Sequence, residues 1–302
     1  MTLRDVLVST TQSLLRAGFA DAPIEAELLL GHILGMSKTQ LHTQPEKVLT
    51  SGETEALQRL VQRRLAYEPI AYILGHCEFY GIDFYIDSRA FIPRPETELL
   101  VEKAVELGRR IYQRGNEFTI ADIGTGCGAI AISLALALPE ARIYATDISA
   151  SALQVAKVNC ERHGVNSRVE LLQGNLLEPL PEPVNMIVAN LPYVADCEFA
   201  ALSPEIREYE PTVALAGGKD GLDRLRQMLE QVPGKLNQRG CLALEIGEGQ
   251  GNRVSSLIKD SFPEADVQLF CDLAGIERVA VAIFEETENA RDRSAGAVSR
   301  RV

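Results

Sequence analysis

From Thr119 onward the chain alternates between short apolar runs rich in β-branched residues and stretches of helical period. The runs are TIADI (119–123), RIYATD (142–147), RVELL (168–172), NMIVAN (185–190), CLALEI (241–246) and RVAVAIF (278–284). A run that is apolar at successive positions buries both of its faces, so such strands belong to an α/β sheet covered by helices on either side. Asp266 to Phe270 reads as a further strand, with Asp272 to Glu277 between it and Arg278 to Phe284. That gap is too short for a helical crossover and predicts an antiparallel hairpin at one sheet edge.

The chain ahead of this region has a different period. Leu3, Val6, Leu7, Leu14 and Leu15 share one helical face ended by Gly18, and Asp21 and Pro23 open a second helix through Ile24, Leu28 and Leu29 to Gly35. Thr50 and Glu53 have the spacing of a capping box ahead of an apolar stripe at Leu57, Leu60, Val61 and Leu65. Residues 1–75 are expected to form a small helical domain. Phe79 to Ile86, aromatic and β-branched around Gly81, predicts a short hairpin in a connecting segment, 76–94. A helix through Leu99, Leu100, Ala104, Leu107 and Ile111 to Gly115 then opens the α/β domain, 95–285. Residues 286–302 are polar, lack a period and are expected to be disordered, and the acidic stretch Glu205 to Glu210 reads as a solvated loop.

Composition narrows the partners. A formal net charge of -12 leaves no basic field for a long phosphate backbone, so extended nucleic acid is not expected. There is no run of about 18 apolar residues, and the opening MTLRDVLVSTTQ has no cleavage site, which predicts no membrane span, no secretion signal and a cytoplasmic protein. The six cysteines include no C-x-x-C pair and the four histidines stand singly, so no metal site is expected.

Two motifs carry chemistry. Asp122-Ile123-Gly124-Thr125-Gly126-Cys127-Gly128 follows a strand and opens the helix from Ala129. Its glycines permit a tight turn and a close ligand approach, and the helix start offers free N–H donors. Asp147 ends the next strand, placed to accept ribose hydroxyls. This pattern fits NAD and S-adenosylmethionine equally. The second motif is Asn190-Leu191-Pro192-Tyr193, at the carboxyl end of the NMIVAN strand, where open α/β sheets bind ligands. Asn supplies a carbonyl acceptor, Pro turns a neighbouring backbone carbonyl outward, and Tyr supplies a flat face. Two acceptors and a stacking plane suit a planar, conjugated –NH₂ group.

The turn and the quartet together resemble the seven-stranded, Rossmann-like methyltransferases that use S-adenosylmethionine. Within them, the chain resembles the release factor glutamine methyltransferases along EPIAYILG (68–75), FIPRPETE (91–98), DIGTGCGAIA (122–131), NLPY and EPTVALAGGKDGLD (210–223). The resemblance implies a methyl transfer from S-adenosylmethionine, leaving S-adenosylhomocysteine, to the side-chain amide nitrogen (N5) of the Gln in the Gly-Gly-Gln motif of class 1 peptide release factors. It also implies a protein substrate recognised by the helical domain, and a monomer. Asp122, Gly124, Thr125, Gly126, Cys127, Gly128, Asp147, Asn175, Leu176 and Asn190 would line the cofactor site. Asn190, Pro192 and Tyr193 would carry the reaction, with Leu191, Arg94, Pro95 and Thr97 completing the substrate site. The family usually has Pro where Leu191 stands, and NLPY also occurs in rRNA adenine dimethyltransferases. The alternatives are therefore an adenine-N6 methyltransferase of rRNA or DNA, or a nucleotide-binding module without catalysis.

An amide nitrogen is a poor nucleophile because its lone pair is delocalised into the carbonyl. If the Asn190 side-chain oxygen and the Leu191 carbonyl each accept one amide hydrogen, the nitrogen is oriented and favoured to pyramidalise, with Tyr193 over the amide plane.

Overall fold

The computed structural model describes residues 1–112 and 118–284, so the expected helix end at Gly115 and the tail 286–302 lie outside the described residues. The chain divides into two compact units: Met1–Cys77, Ile86–Ser88 and Leu202–Glu210 form one, and Glu78–Tyr85, Arg89–Ala201 and the chain from Pro211 form the other.

The first unit is helical: α1 (Leu3–Arg16), α2 (Ala22–Leu34), α3 (Lys38–Thr43), α4 (Ser51–Leu65) and α5 (Ile70–Leu74). Thr50 and Glu53 form the expected reciprocal cap, and Thr2 with Asp5 and Ser37 with Gln40 form two more. α2 stops at Gly35, whose φ of 61° is the left-handed conformation that closes a helix. Leu3, Leu14, Leu29 and Leu30 fill the core. Arg64 is also buried, 4% exposed, which is tolerable because its donors are matched. Nε and Nη2 bond both oxygens of Glu25 at 2.8 and 2.9 Å, and Nη1 reaches Glu205 Oε2 at 2.8 Å. The guanidinium stands 3.9 Å from the Phe19 ring centroid. Glu205 to Glu210 is thus not a solvated loop. It docks on the helices, with the Tyr209 hydroxyl donating to the Ala66 carbonyl at 2.7 Å and Glu210 buried.

From Glu78 the second unit runs through the hairpin β1 (His76–Phe79, whose first two residues count with the helices) and β2 (Ile82–Tyr85), α6 (Thr97–Tyr112), β3 (Phe118–Ile123), α7 (Ala129–Ala137), β4 (Ala141–Asp147), α8 (Ala150–Arg162), β5 (Val169–Gln173), β6 (Val184–Ala189) and β7 (Val194–Ala195). After α9 (Pro204–Tyr209), which counts with the first unit, come β8 (Ala216–Gly218), α10 (Asp223–Gln231), β9 (Leu236–Glu245), α11 (Gly251–Ser261), β10 (Asp266–Cys271) and β11 (Glu277–Ile283). The hairpin residues 78–85 group with this unit because α8 holds them: Arg162 pairs with Asp83, and Asn159 bonds the Tyr85 backbone.

Seven strands form one sheet in the order β10-β11-β9-β6-β3-β4-β5, an α/β architecture as expected from the alternating runs. β3 pairs in parallel with β4 and β6, and β6 with β9, while β10 and β11 form the antiparallel edge hairpin. The strand order reverses between β3 and β6, so their carboxyl ends open the crevice in which such sheets bind ligands. The glycine turn leaves one of these strands and NLPY the other. Among the described residues no helix is long and apolar enough to cross a membrane.

Candidate active site

Gly124, Gly126 and Gly128 all have left-handed backbones, with φ of 74°, 57° and 85°, so the turn needs residues without a Cβ. The N–H groups of Gly124 and Thr125 both donate to the Thr146 carbonyl at 2.9 Å, tying the turn to β4. Asp122 is fully buried at the end of β3. Its Oδ2 accepts from the Thr125 hydroxyl at 2.6 Å and the Ala131 N–H at 3.1 Å, while Oδ1 is buried without a hydrogen-bond partner among the described residues. Burial pushes this carboxyl up to about 7. Asp147 ends β4, and its two oxygens accept the N–H groups of Gly126 and Ser149, each at 2.8 Å. Burial raises its pKa as well. Asn175 and Leu176 follow β5. Asn175 donates to Glu178 at 3.1 Å, and Leu176, at φ 53°, offers its carbonyl to the Thr146 hydroxyl at 2.9 Å.

This donor set discriminates between ligands in a way the glycine spacing does not. Two carboxylates flank a turn whose residues 122–128 include no Lys or Arg, and one carboxylate oxygen is buried with no donor among the described residues. That suits a ligand bearing positive charge and hydroxyls better than a diphosphate. S-Adenosylmethionine, a sulfonium with an amino acid tail and a ribose, fits these residues.

The quartet lies on the adjacent strand end. The register Ile123↔Ala189 brings Asn190 beside the glycine turn, and a Cβ on Gly124 would stand 3.8 Å from the Asn190 carbonyl oxygen. Leu191 is buried and packs in the cluster of Leu222 and Leu225. The Asn190 Nδ2 donates to the Thr97 hydroxyl oxygen at 3.1 Å. Thr97 is buried at the first position of α6, so FIPRPETE brings its Thr to the quartet. Its Pro95 is exposed, and Arg94 stacks at 4.5 Å on Phe91 with its charge felt at Tyr193. Burial, with Glu245 nearby, holds the Tyr193 phenol at about 12, so it stays protonated.

Three groups of residues that sequence reasoning passed over shape this corner. Glu245 ends β9, where the register Ala189↔Leu244 places it next to Asn190. It is buried, and burial pushes its carboxyl up to about 7 against the smaller, opposing influence of Thr97 and Asn190. Gln250 donates to the Tyr193 carbonyl at 3.2 Å. Gly217 and Gly221 press on the Tyr193 backbone: a Cβ there would come within 2.8 Å of Tyr193 Cα and 2.3 Å of its carbonyl oxygen. The AGGKDG stretch reads as a turn, and Lys219 and Asp220 do turn the chain, but its glycines buttress the quartet. Only Glu245 had a sequence signal, as an acid ending an otherwise apolar strand.

Comparison with known proteins identifies the fold and the family. Residues 5–75 match the family model described as PrmC N-terminal domain, and residues 97–205 match the Methyltransferase small domain. The hMettl16 catalytic domain, solved in complex with MAT2A 3'UTR hairpin 1, shares the fold with a TM-score of 0.54 at 16% identity, over 79% of this chain and 82% of that one. A release factor glutamine methyltransferase of Moorella thermoacetica is 39% identical over 287 residues, 95% of this chain and 100% of that protein. One from Geobacter sulfurreducens is 41% identical over 254 residues, 84% of this chain and 87% of that protein. With this identity running through both the helical and the sheet regions, the chain belongs to the release factor glutamine methyltransferase family.

Proposed function

We propose that the protein methylates the side-chain amide nitrogen of the Gln in the Gly-Gly-Gln motif of class 1 peptide release factors. The observation that carries this reading is the polarity of the Asn190 amide. Its Nδ2 is committed to Thr97, which leaves Oδ1 as an acceptor at the strand end beside the glycine turn. Family membership supports the choice of a protein glutamine over a nucleobase, and the net charge of -12 is consistent with it.

S-Adenosylmethionine supplies the methyl group when bound, and Asp122, Asp147 and the 124–128 turn would hold it. Asn190 Oδ1 and the Leu191 carbonyl would accept the two hydrogens of the substrate amide and hold its nitrogen lone pair in line. Such acceptors strengthen as the nitrogen becomes cationic, so they act on the transition state more than on the bound substrate. Tyr193, protonated and braced by Gln250, would cover the amide plane. The buried Leu191 side chain helps exclude water.

The test incubates the purified protein and labelled S-adenosylmethionine with release factor, rRNA and DNA as competing acceptors. Label is expected on the release factor Gln. Label on RNA or DNA alone would reject the reading, and cofactor binding without any acceptor would indicate a binding module.

A further inference from the structure

The plane that Tyr193 offers a substrate amide is only as well placed as the backbone that carries it. Two groups define that backbone: the Tyr193 Cα and the peptide bond that follows it. We infer that Gln250 is the positioning residue that sets this peptide bond, and with it the Tyr193 ring, by bridging the Tyr193 carbonyl and the Gly247 N–H. The role assigned to Gln250 rests on the proposed glutamine methylation.

The bridge is direct at both ends. Gln250 Nε2 donates to the Tyr193 carbonyl at 3.2 Å, and Oε1 accepts the Gly247 N–H at 2.9 Å. A backbone carbonyl only accepts and a backbone N–H only donates, so these two partners fix which way round the amide stands. The other edge of the same peptide bond, the Val194 N–H, donates to the Leu215 carbonyl at 3.0 Å. One edge is therefore committed to the residue that opens α11 and the other to the residue ahead of β8. The peptide cannot rotate without losing a hydrogen bond at each edge.

The slot around the amide is made by residues without side chains. A Cβ on Gly221 would stand 2.7 Å from Gln250 Nε2, and one on Gly247 would stand 3.0 Å from Gln250 Cδ and 3.1 Å from Tyr193 Cδ2. A side chain at either position would displace the bridge, and at 247 the ring as well. The turn that carries Gly221 is itself tied down: Asp220 accepts from Nη1 and Nη2 of Arg226 at 2.9 and 2.6 Å and pairs with Arg253. Arg253 lies three residues beyond Gln250, so the first turn of α11 reaches the Tyr193 carbonyl directly and the turn behind it through Asp220. Gln250 forgoes a local use for this. It stands at the N-cap of α11, where Ser, Thr, Asp or Asn would accept from the helix's own free N–H groups, and its side chain makes no such bond.

The test compares Gln250→Met and Gln250→Glu with the parent, using release factor and S-adenosylmethionine. Gln250→Met keeps the length of the side chain and loses both bonds. Gln250→Glu still accepts from Gly247 but sets a carboxylate oxygen against the Tyr193 carbonyl, and it decides the matter where Gln250→Met does not fold. A displaced ring misplaces the reacting nitrogen, so each folded variant should lose at least about tenfold in kcat, with KM for release factor and affinity for S-adenosylmethionine nearly unchanged. In ligand-free protein with ring-labelled tyrosine, the Tyr193 resonance, identified by its loss in Tyr193→Phe, should move in both variants while those of the other tyrosines stay. Unchanged kcat, a loss confined to KM or an unmoved Tyr193 resonance would each overturn the role of Gln250. A parent inactive on release factor would instead overturn glutamine methylation, and the Tyr193 resonance would still report on the bridge.

Discussion

The side-chain amide of Asn159 in α8 pairs with the backbone of Tyr85 as a neighbouring strand would, accepting its N–H at 2.8 Å and donating to its carbonyl at 2.9 Å. The same Nδ2 donates to the Cys127 carbonyl, also at 2.9 Å. One fully buried Asn therefore fastens both the β1–β2 hairpin and the glycine turn to α8. Asn159→Ala removes three hydrogen bonds to backbone groups, each contributing about 0.5–1.5 kcal/mol, so urea denaturation should show a loss of about 1.5–4.5 kcal/mol. Asn159→Asp should do no better, because a carboxylate has no proton for the two carbonyls. A loss below about 1 kcal/mol would mean that water replaces the amide.

For the ligand, Asp147→Ala removes a carboxylate placed for ribose hydroxyls and also frees the Gly126 N–H. Hydrogen bonds to charged groups contribute about 1.5–3 kcal/mol, so S-adenosylmethionine affinity should fall roughly tenfold to a hundredfold by calorimetry. Binding of NAD in place of S-adenosylmethionine by the parent would refute the donor-set argument.

Asn190→Ala should act on turnover, with a loss of about 10²–10³ in kcat and little change in stability, by analogy with other preorganised hydrogen-bonding groups. Leu191→Pro restores the family's usual residue and keeps the carbonyl, so activity should stay within about tenfold. Because the Leu191 side chain is buried in the cluster that also holds Leu222 and Leu225, the same change should lower stability by on the order of 1–2 kcal/mol. Steady-state kinetics and thermal melts separate the two effects.

Gly221→Ala adds a methyl group 2.3 Å from the Tyr193 carbonyl oxygen at a φ of 78°. Something must shift, and the quartet is what the methyl meets. Turnover should fall at least about tenfold while S-adenosylmethionine affinity, set on β3 and β4, stays near that of the parent. Equal losses in both would show that the change spreads through the sheet.

The pH dependence of folding has a definite sign. Asp122 titrates near 3.8 when unfolded and at about 7 when folded, because it is buried. Between those values the native state holds a proton that the unfolded chain has released. The contribution to stability is full below 3.8 and is lost as pH rises through 7. Glu245, raised from 4.5 to about 7, acts in the same direction. Ligand-free protein should therefore melt lower above neutral pH than near pH 5, apart from other groups, and Asp122→Asn should flatten the slope. A steeper slope in that variant would contradict the assignment.

The strands were readable because strands covered by helices on both sides of the sheet carry apolar residues on both faces, and each run from TIADI to RVAVAIF lies largely within a strand. The Thr50 cap was readable because its partner is three residues away. Asn159, Glu245, Gly217 and Gly221 were not, since each is defined by a partner at least 24 residues distant, such as Tyr193 for Gly217. An Asn within a helix has no local signature, an acid ending an apolar strand shows only that it is unusual, and the meaning of each depends on which strand lies alongside. Tyr85 and Asn159 are 74 residues apart. The docking of Glu205 to Glu210 was hidden for the same reason, its polar residues resembling a loop until Arg64 is placed against them.

That docking also bears on the order in which the protein can be made. Arg64 and Glu205 lie 141 residues apart, yet both belong to the helical unit. During vectorial synthesis the helices emerge first with the Arg64 guanidinium matched only by Glu25 and the Glu68 carbonyl. They must wait for four of the seven sheet strands to be translated before Leu202–Glu210 arrives. The amino-terminal helices are thus the first part to be synthesised but not the first that can be completed, and an isolated fragment ending at residue 77 would lack part of its own fold.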